Sequence, residues 1–279
     1  MIFSTLNKNV ILTGATGFIG QHLVPLLLKN DFNVVAISRN KSKARKFDWY
    51  RDVKFIEMDI KDGIGKLTIN ENITLIHLAW SGLPNYRSNI HLNKNLPQSF
   101  NFIKSLVKDG LKQVVVAGTC LEYGNKNGPI KSSSRCRPDV AYGVAKDCLH
   151  KKLSLLKQKK PFILQWLRLF YTYGKGQNSK SILSQLDQAI DKKYDVFNMS
   201  GGEQLRDYLP VEDVAKQIIK LFQGRKDGIY NVCSGEPISI LQLVENHVKK
   251  RKAKIKLNLG HYPYLDYEPM KFWGVKDIY

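Results

Sequence analysis

The sequence predicts an α/β fold: a doubly wound parallel sheet with helices on both faces, followed by a smaller mixed α/β region. The first observation is a series of continuous apolar runs within residues 1–170, which suits strands that are buried on both faces. The second is that amphipathic stretches separate these runs, because strands that alternate with helices are typical of a parallel sheet. The third is a glycine-rich turn directly after the first run.

The predicted elements alternate in the order that such a sheet requires. An apolar run from Val10 begins the sheet, and the next stretch has helical spacing at Ile19, Leu23, Leu26 and Leu27. Further strands are predicted over 33–38, 54–58, 73–78 and 114–118, and helices over 93–107 and 139–158. After residue 170, helices over 181–192, 211–222 and 239–250 mix with short strands over 229–232 and 255–259.

The composition excludes several classes of protein. The 279 residues include 44 Lys and Arg against 24 Asp and Glu, a formal net charge of +20 at pH 7, but the basic residues are scattered and not interleaved with aromatic ones. No apolar run is long enough to cross a bilayer, no signal segment precedes the first strand, and the four cysteines lack metal-like spacing. We therefore expect a cytoplasmic protein without a metal site and without a nucleic-acid or membrane partner.

The glycine-rich turn predicts a site for a dinucleotide. Gly14 allows a tight turn, Gly17 lets a diphosphate approach the backbone, and Gly20 lets the helix pack on the strand. The N–H groups and the dipole at the start of a helix favour a phosphate. The spacing G-x-x-G-x-x-G differs from the general G-x-G-x-x-G pattern. The candidate cofactor-binding residues here are Gly14, Thr16, Gly17, Phe18, Ile19 and Gly20.

The end of the second strand bears on the choice of cofactor. In a dinucleotide fold, an acidic residue at this place binds the ribose of NAD, whereas a basic one accommodates the 2′-phosphate of NADP. Here the strand ends in Ser38 and Arg39 with no carboxylate, which favours NADP, with NAD as the alternative and a solvated Arg39 as the plainer interpretation. Asp59 and Ile60, after the third strand, are candidates to contact the adenine.

Tyr142 and Lys146 are candidates for acid–base chemistry. Their spacing of four places both on one face of a predicted helix. A lysine ammonium beside a phenol lowers the pKa of the phenol, which makes the tyrosine a usable general acid or base. Thr119, just past the neighbouring strand, is placed to hydrogen-bond the same substrate oxygen. A surface Tyr–Lys pair is the plainer alternative.

Taken together, these motifs resemble the extended short-chain dehydrogenase/reductase family, of the NAD-dependent epimerase/dehydratase type. The resemblance covers nearly the whole chain, and its motifs occur in the order that is typical of the family. It is carried by the 13–20 turn, Asp59, the 77–79 segment, Thr119 with Tyr123 and Gly124, the Tyr142–Lys146 pair, and the 167–174 and 206–215 segments.

The resemblance implies a Rossmann-type dinucleotide-binding domain over 1–170. It also implies a nucleotide-sugar-binding cap over 171–279, with some segments returning to the core. Relatives form homodimers through two helices, here 97–107 and 139–158. The resemblance implies that Leu78 and Ala79 join the cofactor site. It further implies substrate contacts from Trp80, Thr119, Cys120, Tyr171 and Arg206, with Arg206 on the diphosphate.

Departures from the family pattern favour one reaction. Relatives that dehydrate a sugar carry an Asp-Glu pair after the catalytic Thr, whereas this chain has Cys120 and Leu121. The chain looks most similar to nucleotide-sugar 4-keto reductases. We therefore predict that NADPH reduces the C4 keto group of a nucleotide-linked 4-keto-6-deoxyhexose, for deoxysugar and surface polysaccharide biosynthesis. The alternatives are an NAD-dependent nucleotide-sugar 4-epimerase and a non-catalytic dinucleotide-sensing protein. Tyr171, where many relatives have Asn, leaves the pose of the sugar open.

Overall fold

A computed structural model describes residues 8–63, 65, 67–69, 72–264 and 269–277. Strands and helices alternate through its first part, as the sequence predicted. These elements are β1 (Asn9–Thr13), α1 (Gly20–Lys29), β2 (Asn33–Ser38), α2 (Lys41–Ala44), β3 (Lys54–Glu57), β4 (Ile73–His77), α3 (Leu96–Lys108), β5 (Gln113–Thr119), β6 (Gly128–Ile130), α4 (Ala141–Lys159) and β7 (Ile163–Leu169).

In the described residues, the second part of the chain mixes short strands with three helices. Its elements are β8 (Tyr171–Tyr173), α5 (Ile182–Asp191), β9 (Val196–Asn198), β10 (Leu205–Arg206), β11 (Tyr208–Pro210), α6 (Val211–Gly224), β12 (Gly228–Val232), β13 (Ile238–Ser239), α7 (Ile240–Arg251), β14 (Lys256–Asn258) and β15 (Lys271–Gly274).

A seven-stranded sheet in the order β12-β7-β5-β4-β1-β2-β3 forms the centre of the molecule, and every neighbouring pair is parallel. The strand order reverses between β1 and β4. In open parallel sheets such a reversal opens a crevice at the carboxyl ends of the strands, where ligands bind. The predicted Rossmann-type α/β fold is confirmed.

Both faces of this sheet are covered, which explains why its strands are continuous apolar runs. Val10 and Leu12 pack with α1 and α6 on one face, whereas Ile11 between them packs with α3 and α4 on the other. Three smaller sheets accompany the main one, in the orders β13-β10-β15-β6, β11-β8 and β14-β9. A separate apolar cluster from α5, α7 and β9 stabilises this second region.

The structure corrects several predicted boundaries. The helix predicted over 93–107 is a π-turn, His91–Asn95, followed by α3. The π-turn turns His91 and Asn95 inward, where the Asn95 amide donates to the Ser81 carbonyl at 2.9 Å. The predicted 229–232 strand is β12, at one edge of the main sheet. Strands of only two or three residues, such as β10 and β13, escaped prediction because they are too short to show a period.

None of the helices in the described residues is long and apolar enough to cross a membrane.

The packing of α1 on the sheet yields a test of stability. Leu27 is fully buried in the apolar cluster between α1 and α6. We expect Leu27→Ala to lower the free energy of unfolding by about 2 to 5 kcal/mol in urea denaturation, because it leaves a cavity. Leu155→Ala is the matched control, since Leu155 is 59% exposed on α4. Equal losses for the two variants would contradict the assigned core.

Candidate active site

The glycine turn joins β1 to α1 at the reversal point of the sheet. Gly14 has a φ of +75°, and a Cβ there would lie 2.9 Å from the backbone nitrogen of Ala79. A Cβ at Gly17 would lie 3.0 Å from the Gly14 carbonyl oxygen, and one at Gly20 would lie 2.8 Å from the Cα of Ala15. Glycine is therefore required for the turn to lie against the chain after β4 and for α1 to start beside it.

A buried pair holds this junction in place. The Thr13 hydroxyl shares a 2.9 Å hydrogen bond with His77 Nδ1, and Ala79 N–H donates to the same hydroxyl at 3.3 Å. His77 Nε2 and the Ser99 hydroxyl lie 3.1 Å apart. Burial, together with the charge of Lys146, lowers the pKa of His77 to about 3. His77 is therefore a neutral structural group.

The residues present fit a dinucleotide at this turn. Ile19, the residue before α1, has no polar side-chain group to cap the helix. The structure describes every residue of the first turn of α1, and none of them is acidic. The start of the helix is therefore left to attract an anion such as a diphosphate. Thr16 is buried, and Phe18 and Ile19 are half-buried along the same turn.

The end of β2 lies beside this turn, as predicted. The hydroxyls of Ser38 and Thr16 share a 2.6 Å hydrogen bond, and Arg39 is exposed next to them. The structure also brings Glu57 here from β3, where its carboxylate accepts from the Lys41 N–H at 2.9 Å. Sequence reasoning missed this carboxylate because Glu57 lies 16 residues beyond Lys41, its hydrogen-bond partner.

Asp59 and Ile60 are both half-exposed after β3. The Asp59 carboxylate accepts from the Lys61 N–H at 3.1 Å and so caps the short turn Ile60–Asp62. This contact gives Asp59 a local structural role. Contact of either residue with the adenine stays a prediction.

The structure brings Thr119, Tyr142 and Lys146 together at the carboxyl end of β5. Thr119 ends β5, and Tyr142 and Lys146 share one face of α4, with the Lys146 ammonium 5.9 Å from the centre of the Tyr142 ring. The ammonium donates to the Ala117 carbonyl at 2.6 Å and lies 3.8 Å from the centre of a Trp80 ring. All three residues are buried.

The pKa of Tyr142 corrects one expectation. We expected Lys146 to lower it, but burial raises it well above the ordinary value of 10, and Tyr86, Glu122 and Cys120 raise it further. Hydrogen bonding from Thr119 acts in the opposite direction. The phenol is therefore protonated at neutral pH and ready to donate a proton.

Burial lowers the pKa of Lys146 to about 7, against an upward contribution from Glu122. The lysine is thus poised to change charge near neutral pH.

Two aromatic side chains that the sequence did not single out, those of Tyr86 and His91, lie against Tyr142. The Tyr86 ring stacks on it at 5.7 Å between centroids, and His91 lies 5.2 Å from it. The Tyr142 N–H donates to the Tyr86 carbonyl at 2.9 Å, so the segment after β4 covers the start of α4. Trp80 donates to His91 Nδ1 at 3.1 Å, which orients its ring towards Lys146. Contact of Trp80 with a substrate stays a prediction.

The other predicted substrate contacts line the side of the site formed by the second region. Arg206, on β10, is 2% exposed, and its guanidinium lies 5.7 Å from the centre of the Tyr171 ring. Tyr171 also packs on Tyr208, with centroids 5.4 Å apart. Burial raises the pKa of Cys120 and the nearby charge of Asp207 raises it further, whereas the charge of Arg206 lowers it. The structure therefore gathers Tyr171, Arg206 and Cys120 on one side, and their contact with a sugar nucleotide stays a prediction.

Comparison with known proteins points to the family that the sequence motifs resemble. The model of the NAD-dependent epimerase/dehydratase family matches residues 10–233. A dTDP-6-deoxy-L-talose 4-dehydrogenase (NAD(+)) of Aggregatibacter actinomycetemcomitans is 32% identical over 96% of this chain and its own full length. A dTDP-4-dehydro-6-deoxyglucose reductase of Escherichia coli is 24% identical over 85% of this chain and 80% of its own.

A solved structure shares the fold. It is a UDP-N-acetylglucosamine 4-epimerase from Methanobrevibacter ruminantium M1 in complex with UDP-N-acetylmuramic acid, with a TM-score of 0.84 and 24% identity over 95% of this chain and 89% of the other. The reversal point with its glycine turn, the clustered Thr119, Tyr142 and Lys146, and the match over 10–233 agree. The chain belongs to the NAD-dependent epimerase/dehydratase family, and the resemblance seen in its sequence is confirmed.

Proposed function

We propose that this protein is an NADPH-dependent reductase of the C4 keto group of a nucleotide-linked 4-keto-6-deoxyhexose. The observation that carries the proposal is a protonated, buried Tyr142 beside Thr119 and Lys146 at the carboxyl end of β5. The similarity to a dTDP-6-deoxy-L-talose 4-dehydrogenase and to a dTDP-4-dehydro-6-deoxyglucose reductase supports the sugar class and the reacting carbon.

The chain's own residues supply the proton chemistry. When bound, NADPH would supply the hydride that adds to C4 and reduces the carbonyl to an alcohol. Tyr142, which is protonated at neutral pH, gives its proton to the oxygen at C4. Thr119 orients the carbonyl oxygen. Lys146, where it carries its proton, lends positive charge as negative charge moves onto the tyrosine.

The residues after Thr119 argue against loss of water from the sugar. Dehydration needs an acid–base pair at these two positions. Cys120 holds its proton tightly, because burial raises the pKa of its thiol, and Leu121 has no titratable group. Reduction needs no second acid or base beyond Tyr142.

The proposal is tested by following nicotinamide absorbance with the purified protein. NADPH and NADH are each supplied with dTDP-, GDP- and CDP-linked 4-keto-6-deoxyhexoses. We expect oxidation that depends on one sugar and runs faster with NADPH. If no sugar drives oxidation, and NAD is released from the denatured protein while UDP-hexoses are isomerised, then the protein is the 4-epimerase and the proposal is wrong.

A conservative variant tests the general acid. We expect Tyr142→Phe to reduce kcat by about 10²- to 10⁴-fold, the usual contribution of a positioned acid, with cofactor binding retained. Tyr194→Phe is the matched control, because Tyr194 is 54% exposed after α5. Near-full activity of Tyr142→Phe, measured in the same absorbance assay, would remove Tyr142 from the chemistry.

Arg39 tests the choice of cofactor. Its exposed position at the end of β2 beside Ser38 supports contact with a 2′-phosphate, which NADPH has and NADH lacks. We expect Arg39→Ala to raise the KM for NADPH about tenfold, which corresponds to about 1.4 kcal/mol, and to leave the KM for NADH unchanged. Arg45→Ala, an exposed arginine just after α2, is the control. An unchanged KM for NADPH would favour NAD as the cofactor.

A further inference from the structure

Glu122 is a fully buried carboxylate three residues after Thr119. One of its oxygens accepts from the Thr119 N–H at 2.8 Å, and the other accepts from Arg168 Nε at 2.8 Å. The Trp166 indole N–H lies within 3.0 Å of both oxygens. Burial raises the pKa of Glu122, and the charge and hydrogen bond of Arg168 act in the opposite direction. All of these partners are donors, so each of them favours the ionised carboxylate.

The residues around Glu122 leave space for its carboxylate and fix its ion-pair partner. A Cβ at Gly118 would lie 2.6 Å from Glu122 Oε1, so a glycine is needed for the carboxylate to reach β5. Arg168, only 3% exposed, donates to the Ser132 carbonyl at 3.0 Å and stacks 4.5 Å from the centre of the Tyr123 ring. Hydrogen bonds and a ring contact thus fix the position of the Arg168 guanidinium, and hydrogen bonds fix the Glu122 carboxylate.

Glu122 also acts on the catalytic pair. The Lys146 ammonium donates to the Ala117 carbonyl at 2.6 Å and Glu122 accepts from the Thr119 N–H two residues later, so both charges lie at the same end of β5. Burial lowers the pKa of Lys146, and the charge of Glu122 raises it. The same charge raises the pKa of Tyr142, after burial and Tyr86. Other titratable groups around the pair in the described residues include Tyr86 and His91 from the segment after β4, which lie against the Tyr142 ring. They also include His77 from β4, on which the charge of Lys146 acts, and Cys120 beside Thr119.

We propose that Glu122 is a positioning residue: held by Arg168 and Trp166, it fixes the backbone of Thr119 and supplies the negative charge that acts on Lys146. The inference rests on the function proposed above for Thr119, Tyr142 and Lys146. Stability alone does not account for this arrangement, because a buried ion pair replaced by apolar residues of similar volume is often neutral or stabilising.

The charge is tested directly by an NMR titration of the protein labelled with ¹³C at lysine Cε. Lys146 titrates near pH 7, apart from exposed lysines near pH 10.4, and Lys146→Arg assigns its signal. Glu122→Gln removes the negative charge, so the Lys146 ammonium loses stabilisation and its pKa falls by on the order of one unit. Glu245→Gln, an exposed glutamate on α7, leaves the midpoint unchanged. An unchanged midpoint in Glu122→Gln overturns the proposal.

The same variant is then assayed for reduction. Because a misplacement of about 1 Å can cost on the order of 10²-fold, we expect kcat to fall about 10- to 100-fold with KM little changed. The alkaline limb of the pH profile moves to lower pH, since Lys146 loses its proton earlier. A lowered melting temperature with kcat and the pH profile of the wild type would show a structural role only, and would overturn the proposal.

Two features keep the test decisive. The titration needs no substrate, so a failed sugar assay with a shifted Lys146 midpoint refutes the proposed reaction and leaves the role of Glu122 standing. If Glu122→Gln does not fold, Trp166→Phe removes the indole donor and keeps the charge. It is expected to lower kcat about tenfold, the effect of about 1.4 kcal/mol, without moving the Lys146 midpoint. Wild-type kcat in Trp166→Phe would contradict the positioning role.

Discussion

The close backbone approach between Gly14 and Ala79 is the constraint on which the rest of this site depends. It brings the turn after β1 against the chain after β4, at the point where the strand order reverses. Any side chain at residue 14 would push the two apart, and the start of α1 would no longer face the crevice. Thr13 and His77 fasten the same junction by a buried hydrogen bond. The candidate cofactor site is thus a consequence of how two parallel strands end.

The candidate catalytic groups are placed by the neighbouring strand and by α4, which packs across it. Burial shifts the pKa of both titratable members. It keeps the proton on Tyr142 and brings the pKa of Lys146 to about 7. Removal from water, rather than the charge of Lys146, is the largest influence on the pKa of the phenol. The buried carboxylate of Glu122 adds an opposing charge to this dry environment.

Much of the fold was predictable because the main sheet is buried on both faces. Its strands read as apolar runs, and the helices between them have a clear period. The small sheets of the second region were not predictable, because β10 and β13 have two residues each and their partners lie far along the chain. The π-turn before α3 was missed for a similar reason: hydrogen bonds to Ser81 and Trp80, not local propensity, turn Asn95 and His91 inward.

The sequence by itself determined the family, the glycine turn and the Thr119, Tyr142 and Lys146 set, because each is carried by short local motifs whose order along the chain can be read directly. Only the tertiary structure decided what surrounds them. Trp80 lies against Lys146, Glu57 comes to the end of β2, and Arg168 meets Glu122 from a strand 46 residues away. Charge and burial at these contacts arise from several segments at once, and no local pattern in the sequence records which segments will meet.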